Sequence, residues 1–345
     1  MKRLIALFLC LGALCPCAAC GGRPEIGGIH SKEGDIYPQN FLLMDKAEVE
    51  FDLFRYYYLN YKNMYLEQDP DYFEKEENEK KLKEEILDVL CDFYAIRFLA
   101  EEHKVSLNKE DKDSVQADID KTVEFYSGKD EFLSYLEESY MSEELYTYMM
   151  EYSALYLKLF NTLYKNGGKK EWSDEKYYEY YKKNYVAAQQ IFIPYETGET
   201  EENHSLTLAK ATEIHTKAKN GEDFWSLVET YGKDENMLKY PDGYYFTKGQ
   251  AEDVLHASTV ALKEGEISEI VAGKTGLYII RRVAMKKLRM DENRETTLYG
   301  YSDPAGEWQA GAYDDEFQKL YKERAKKIKV KKSKYWDEVS TKTVY

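Results

Sequence analysis

Few residues of this 345-residue chain have the types and spacing that chemistry requires. His30 and His103 stand alone, and isolated histidines are ordinarily solvated or satisfied locally. Cys91 is the only cysteine after residue 20, so it cannot form an internal disulfide and is expected to be a small buried apolar residue. The helical patterns before residue 185 contain no metal-ligand spacing and no nucleotide-binding loop. Candidate chemistry is therefore confined to residues 186–285.

The N-terminus has the pattern of a targeting segment. Lys2 and Arg3 precede an apolar run, Leu4–Leu14, that is too short to span a membrane as a stable helix. The following Cys17-Ala-Ala-Cys20-Gly-Gly resembles a bacterial lipobox, whose last cysteine is diacylated and becomes the mature N-terminus. This predicts a signal peptide at 1–19, lipidation at Cys20 and a polar linker at 20–40. The alternative is an ordinary secretory signal with the same cleavage logic.

Composition bounds the class of protein. The length suits two or three domains, and 43% hydrophobic residues can bury a sizeable core. The formal net charge is −16 and no Lys/Arg-rich patch could hold a phosphate backbone, which argues against a nucleic-acid partner. The 33 tyrosines either replace Phe at half-buried helix positions or line adaptable, wet contact surfaces.

Helical periodicity dominates residues 41–185 and returns near the C-terminus. Asn108, with Asp111 as its partner acid, is predicted to cap one helix, and Ser142 and Ser173 are predicted to cap two others. The chain reads as a polar loop from 286 to about 313, and a final amphipathic helix then carries Phe317, Leu320 and Tyr321 on one face. We expect that face to pack on the N-terminal helices. The predicted helices run from about 45 to 65, 76 to 103, 108 to 127, 131 to 140, 142 to 165 and 173 to 184.

Residues 186–285 change character. A short strand at Ile191–Ile193 is followed by helical patterns at 206–219, 224–231 and 254–262, and by strand patterns at 270–271 and 277–283. This order predicts a small α+β domain with an antiparallel sheet.

Four phrases in this segment carry a family resemblance. They are Asn220-Gly-Glu-Asp-Phe224, Phe246-Thr-Lys-Gly-Gln250, Ala261-Leu-Lys-Glu-Gly-Glu-Ile-Ser268 and Thr275-Gly-Leu-Tyr-Ile-Ile280. In this order and spacing they resemble the parvulin (PpiC, rotamase) family of peptidyl-prolyl cis–trans isomerases. The flanking helices and the lipobox are similar to the PrsA-type foldase lipoproteins. The resemblance implies a four-stranded antiparallel sheet with flanking helices at 186–285. That domain would be inserted in a mostly helical, SurA/PrsA-like chaperone lobe formed by 41–185 and 286–345.

The implied chemistry needs no cofactor or metal. An X–Pro bond isomerises slowly because the amide has partial double-bond character. An enzyme accelerates the rotation by binding the twisted amide better than either planar form. That requires an apolar pocket for the proline ring and a polar group near the rotating amide.

The resemblance assigns three positions to catalysis. Gln190 and Tyr278 stand where the family has a buried histidine pair, and we expect them to hydrogen-bond to each other as a neutral pair. Asp234 stands at the family's Cys-or-Asp position. The structural alternatives remain open: Asp234 as a surface loop acid, and Gln190 and Tyr278 as residues that only preserve the fold.

The resemblance also assigns a proline pocket. Phe246 matches an aromatic wall, and Ala251 and Leu255 match larger Met and Phe residues. Gln250 belongs to the same phrase and is predicted to contact substrate. Gly243 replaces the Leu of the family's Gly-Asp-Leu-Gly turn, so one apolar wall is lost. Phe246 has ordinary core packing as its alternative.

These features predict an extracytoplasmic foldase, lipid-anchored to the outer face of a bacterial cell membrane, that acts on unfolded or partly folded secreted proteins at X–Pro segments. Its isomerase activity is expected to be reduced by the lost pocket groups. The alternative is a non-catalytic holdase that uses a degenerate parvulin domain as a peptide-binding module, and a third reading is a lipoprotein that binds one folded partner. A homodimer is left open. A phosphorylated substrate is disfavoured by the acids of the first-strand loop, Glu196, Glu199, Glu201 and Glu202.

Overall fold

The computed structural model describes residues 27–31, 34–165, 167–195, 204–302 and 308–345. They form two compact units. Unit 1 comprises the described residues up to Glu171 together with Tyr299–Tyr345, and unit 2 is Trp172–Leu298. The predicted signal peptide, Cys20 and the acidic residues 196–202 lie outside the described residues.

The N-terminal segment of unit 1 begins with short strands and continues as helices. The elements are β1 Ile29–Ser31, β2 Gly34–Ile36, β3 Asn40–Met44, β4 Ala47–Glu50, α1 Phe51–Gln68, α2 Glu76–Glu102, α3 Lys109–Phe125, α4 Lys129–Glu138 and α5 Glu143–Tyr164, with a short 3₁₀ turn at Tyr72–Glu74.

Unit 2 follows without a break in the chain. Its elements are α6 Asp174–Asn184, β5 Val186–Pro194, α7 His204–Lys219, α8 Phe224–Tyr231, β6 Tyr244–Phe246, α9 Asp253–Ala261, β7 Val271–Ala272, β8 Gly276–Val283 and α10 Lys287–Glu292, with a 3₁₀ turn at Met237–Lys239. Helix α11, Arg294–Tyr299, ends at the boundary between the units.

The C-terminal segment returns to unit 1. It contains β9 Tyr301–Ser302, β10 Trp308–Gln309, α12 Ala312–Ala325, β11 Val330–Lys332 and a 3₁₀ turn at Trp336–Glu338.

The predicted helix caps are confirmed. The Asn108 side chain accepts from the Asp111 backbone N–H while the Asp111 side chain accepts from Asn108, which completes a capping box at the start of α3. Ser142 and Ser173 cap α5 and α6 through their hydroxyl oxygens. The sequence therefore fixes where these helices begin.

The core of unit 1 joins segments far apart in the sequence. Helix α12 packs on α2, and its Phe317 ring lies against Tyr156, Phe160 and Tyr164 of α5. Strand β11 pairs antiparallel with β3, and β3 pairs with β4. The prediction that the amphipathic C-terminal helix packs on the N-terminal helices is confirmed.

Two local predictions in unit 1 are wrong. The first long helix begins at Phe51 rather than Asp45, because residues 40–50 form the β3–β4 hairpin whose turn places Asp45 at φ +51°. The segment predicted as a linker contains the antiparallel β1–β2 pair. A third difference lies after residue 285, where α10 and α11 replace the expected loop.

Unit 2 is built on a four-stranded antiparallel sheet with the order β6-β5-β8-β7. Side chains alternate between the faces of a strand. On one face Ile191, Ile193, Leu277 and Ile279 pack against α7 and α8, and on the other face α9 covers Ala188 and Ile280. The predicted α+β fold, mostly helical with a small antiparallel sheet, is confirmed.

Candidate active site

An apolar floor lies on the sheet face covered by α9. It is formed by side chains that share this face or come from α9 and its flanks: Ala188, Phe192, Phe246, Leu255, Leu262, Val271, Tyr278 and Ile280. The Phe192 and Tyr278 rings, opposite each other on β5 and β8, have centroids 4.8 Å apart. Five of these side chains are buried, whereas Phe192, Phe246 and Leu262 are half-buried and are the part of the floor that a proline ring could contact.

Asp234 is placed at the edge of this floor by backbone contacts. The backbone N–H of Lys233 donates to the Phe192 carbonyl oxygen at 2.9 Å, which ties the segment after α8 to β5. Asp234 then opens the turn that leads to Met237–Lys239, and its Oδ1 accepts from the backbone N–H groups of Asn236 at 3.1 Å and Met237 at 3.3 Å. One of the two carboxylate oxygens therefore stabilises the turn that Asp234 itself begins.

The other carboxylate oxygen is held by two side chains. Oδ2 of Asp234 accepts from the Gln190 amide Nε2 at 2.8 Å and from the Tyr244 hydroxyl at 2.9 Å. A carboxylate has about four acceptor positions. Asp234 is therefore fully hydrogen-bonded by its own chain and presents a fixed negative charge beside the apolar floor.

Tyr244 is a site residue that the sequence reasoning missed. It lies on β6 opposite Ala188 of β5. Burial raises its pKa above the ordinary value, and the hydrogen bond to Asp234 raises it further, so the hydroxyl stays protonated and donates. A signal was present, since Tyr244 stands where the family's Gly-Asp-Leu-Gly turn ends in glycine.

The expected hydrogen bond between Gln190 and Tyr278 is wrong. The two side chains share a sheet face, but Gln190 lies opposite Ile280 and its amide donates to Asp234. Tyr278 instead stacks near Phe192 and is buried. The Asp234 carboxylate is a stronger hydrogen-bond acceptor than the Tyr278 phenol, and the Gln190 amide therefore donates to Asp234.

The predicted pocket residues divide into two groups. Phe246 and Leu255 contribute to the floor, Leu255 as a buried residue and Phe246 as a half-buried one, and Ala251 is half-buried at the start of α9. Gln250 is exposed, and its Oε1 accepts from the Thr247 backbone N–H at 3.0 Å. In this conformation Gln250 closes the turn between β6 and α9.

The backbone conformation at Gly243 requires a glycine, so a side chain at this position could not form a pocket wall. Its φ is +92°, and a Cβ atom would lie 2.8 Å from the Ala188 carbonyl oxygen. A leucine at this position would collide with β5. The turn before β6 therefore has a different path from one that carries an apolar side chain.

Other residues whose side chains could take part in chemistry include three histidines and Cys91. His215 is half-buried, and its Nε2 lies 3.0 Å from the Ser268 carbonyl oxygen. His256 is half-buried as well, whereas His204 is exposed. Cys91 is half-buried, and burial raises the pKa of its thiol to about 11. Within the described residues no group of three or more His, Cys, Asp or Glu side chains could hold a metal ion.

Most of unit 2 matches the model of a known protein family. The family model of the PPIC-type PPIase domain matches residues 162–286 of the chain. This matched segment is called the PPIase domain below. The resemblance to peptidyl-prolyl isomerases of this type is confirmed, and Asp234, the apolar floor and the four-stranded sheet all lie within the PPIase domain.

Curated relatives carry the name foldase protein PrsA. One from Bacillus subtilis is 30% identical over 101 residues, which are 28% of this chain and 35% of the relative. One from Staphylococcus epidermidis is 29% identical over 205 residues, or 58% of this chain and 59% of the relative. The chain thus spans less than two thirds of the length of these relatives.

Solved structures of a PrsA protein and of a parvulin are also similar to this chain. The crystal structure of PrsA from Bacillus cereus is 20% identical, with 72% of this chain and 80% of that chain covered at a TM-score of 0.33. The parvulin NmPin of Nitrosopumilus maritimus is 25% identical, with 29% of this chain and 97% of that chain covered at a TM-score of 0.23. Because both TM-scores are low, the assignment of the PPIase domain depends on the sequence comparison.

Each helix of the described residues is too short or too polar to cross a bilayer.

Proposed function

We propose that the PPIase domain binds X–Pro segments of unfolded chains and accelerates their cis–trans isomerisation. The observation that carries this proposal is the fixed Asp234 carboxylate at the edge of the floor formed around Phe192, Phe246 and Tyr278. An apolar surface beside one oriented charge can lower the barrier to amide rotation, and no nucleophile takes part.

The proposed mechanism uses the difference between a planar and a twisted amide. Resonance in the planar form places negative charge on the carbonyl oxygen, and twisting withdraws it. A fixed carboxylate near that oxygen destabilises the planar form more than the twisted one. The apolar floor acts in the same direction, because the less polar twisted amide leaves water at a lower cost. Both effects lower the rotational barrier without any covalent step.

The decisive experiment is a protease-coupled proline-peptide assay on the chain without its predicted signal peptide, residues 20–345. We expect Asp234→Ala to lower kcat/KM about tenfold or more, the scale for removal of one oriented electrostatic group. The matched control is Glu235→Gln, which neutralises the adjacent exposed acid and should leave the rate unchanged. A wild-type rate equal to the uncatalysed one would remove the proposal.

At the scale of the whole chain we propose a foldase for secreted proteins, in line with the names of the curated relatives. Lipid anchoring at Cys20 on the outer face of the cell membrane is supported by the lipobox-like phrase alone. Cys20→Ser should release the protein into the soluble fraction or leave the precursor uncleaved. A mature-sized product that stays on the membrane would contradict anchoring through this cysteine.

A second candidate function is a holdase whose PPIase domain binds peptides without turnover. It is favoured by Gly243, where a leucine wall cannot be accommodated, and by the small side chain of Ala251. The expected result is that the chain suppresses aggregation of a denatured client while its proline-peptide rate stays at the background. Aggregation that proceeds unchanged in the presence of the chain would exclude this candidate.

A further inference from the structure

We infer that Tyr244 is a positioning residue of the active site, which acts by orienting the Asp234 carboxylate towards the substrate. This inference rests on the proposed isomerase function. Asp234 is the group that would face the rotating amide, whereas Tyr244 acts only through it.

The backbone explains how a tyrosine reaches this carboxylate. The buried Gly243, at φ +92°, brings the chain so close to Ala188 that a Cβ atom would lie 2.8 Å from its carbonyl oxygen. Tyr244 then pairs with Ala188, two residues before Gln190 on β5. The two side-chain donors therefore come from neighbouring strands and meet at one oxygen of Asp234.

The two donors hold the carboxylate in complementary ways. Gln190 donates to Oδ2 from β5 at 2.8 Å, and Tyr244 donates to the same oxygen from β6 at 2.9 Å. The backbone N–H groups on Oδ1 and the Gln190 amide on Oδ2 already restrain rotation of the carboxylate about its last side-chain bond. The Tyr244 hydroxyl, a second donor to Oδ2 from another strand, restrains that rotation further.

The Tyr244 side chain is itself restrained. Its ring is half-buried, and the Tyr240 ring lies 5.5 Å away between centroids. The guanidinium of Arg289 lies over the Tyr240 ring, 5.1 Å from its centroid. A donor whose rotamer is locked by packing holds its acceptor better than an exposed one. Its raised pKa keeps the donor protonated over the neutral range.

The test is a double-mutant cycle in the chain without its predicted signal peptide, residues 20–345. Tyr244→Phe keeps the ring and removes the hydroxyl, Asp234→Ala removes the acceptor, and the third variant combines them. We expect Tyr244→Phe to lower kcat/KM about tenfold, mainly through kcat, and to have no further effect in the Asp234→Ala background. A merely structural role would give additive losses. Tyr240→Phe, which removes a neighbouring phenol hydroxyl and keeps its ring, is the matched control and should retain the wild-type rate.

The cycle separates this inference from the proposed function. If the wild type is active and Tyr244→Phe equals it, or if the two losses add, Tyr244 does not act through Asp234 and the inference is overturned. If the wild type shows only the uncatalysed rate, the isomerase proposal fails. The same four proteins are then compared in chemical denaturation, where additive effects of the two substitutions on stability would overturn the contact itself.

Discussion

At the scale of single residues, the Asp234 carboxylate is bonded by two backbone N–H groups and two side chains. Because these four hydrogen bonds occupy the acceptor positions of the carboxylate, they limit its possible roles in catalysis. It has no acceptor position left for a peptide N–H, so its contribution to amide rotation is that of a fixed charge. This distinguishes it from a general base, which must be free to accept a proton.

Gly243 offers a residue-scale prediction with a matched control. Gly243→Ala places a Cβ atom against the Ala188 carbonyl oxygen at a positive φ, whereas Gly249→Ala has a similar φ of +89° and open space around the new atom. We expect Gly249→Ala to lower the free energy of unfolding by about 1 kcal/mol and Gly243→Ala by about 2–4 kcal/mol. Urea denaturation measures both. Equal costs would show that the turn before β6 relaxes.

Sequence reasoning reached some site residues and missed others for physical reasons. Phe246 stands in a phrase that keeps the family spacing, and Asp234 stands at the family's Cys-or-Asp position. The expected hydrogen bond from Gln190 to Tyr278 is wrong because strand alternation predicts only that two side chains lie on the same sheet face. It does not predict which acceptor the Gln190 amide binds. Tyr244 was hidden among 33 tyrosines, and only its place in the turn distinguished it.

At the scale of elements, the N-terminus of α12 contains a buried acid. Asp314 accepts from the Gly311 backbone N–H at 3.0 Å, which stabilises the helix start. Burial nevertheless raises the pKa of Asp314 to about 6, and the neighbouring Asp315 adds to the increase. The folded chain thus binds this proton more tightly than the unfolded chain, whose Asp has its ordinary value near 3.8.

A pH dependence follows from the sign of that change. Stability conferred by the protonated Asp314 is present below about pH 4 and is lost as the pH rises to about 6. Asp314→Asn keeps the acceptor oxygen and cannot ionise, so its stability relative to the wild type should increase across this window. Denaturation at several pH values measures the difference. Glu323→Gln, an exposed acid on the same helix, is the control, and parallel curves for wild type and Asp314→Asn would contradict the prediction.

The helices and the strands of unit 1 differed in how far the sequence predicted them. Capped, amphipathic helices such as α3 and α5 depend on local residues and were placed correctly. The strands β3 and β11 depend on each other, although Asp45 and Lys329 at their ends are 284 residues apart. A pairing of that kind leaves no local periodicity, and the apolar run of β3 was therefore joined to the helix that follows it.

At the scale of the whole molecule, the formal net charge of −16 gives a prediction about clients. A strongly acidic protein attracts basic chains over a range set by the Debye length, about 10 Å at 0.1 M salt. We expect the chain to suppress aggregation of a basic denatured client better than that of an acidic client of similar size at low salt, and the difference to disappear at high salt. Light scattering of both clients measures this. Equal protection at low salt would show that charge does not select clients.

The division of unit 1 into two segments also has a consequence for the order of synthesis. Strand β3 leaves the ribosome long before its partner β11, and α2 waits just as long for α12. Until then the nascent chain exposes one strand edge and one apolar helix face, which favour misassociation with neighbouring chains. The intervening PPIase domain, whose sheet strands lie within about one hundred residues, can fold first. Completion of unit 1 is therefore a late step, and any factor that delays it lengthens the period in which the exposed strand edge and helix face can misassociate.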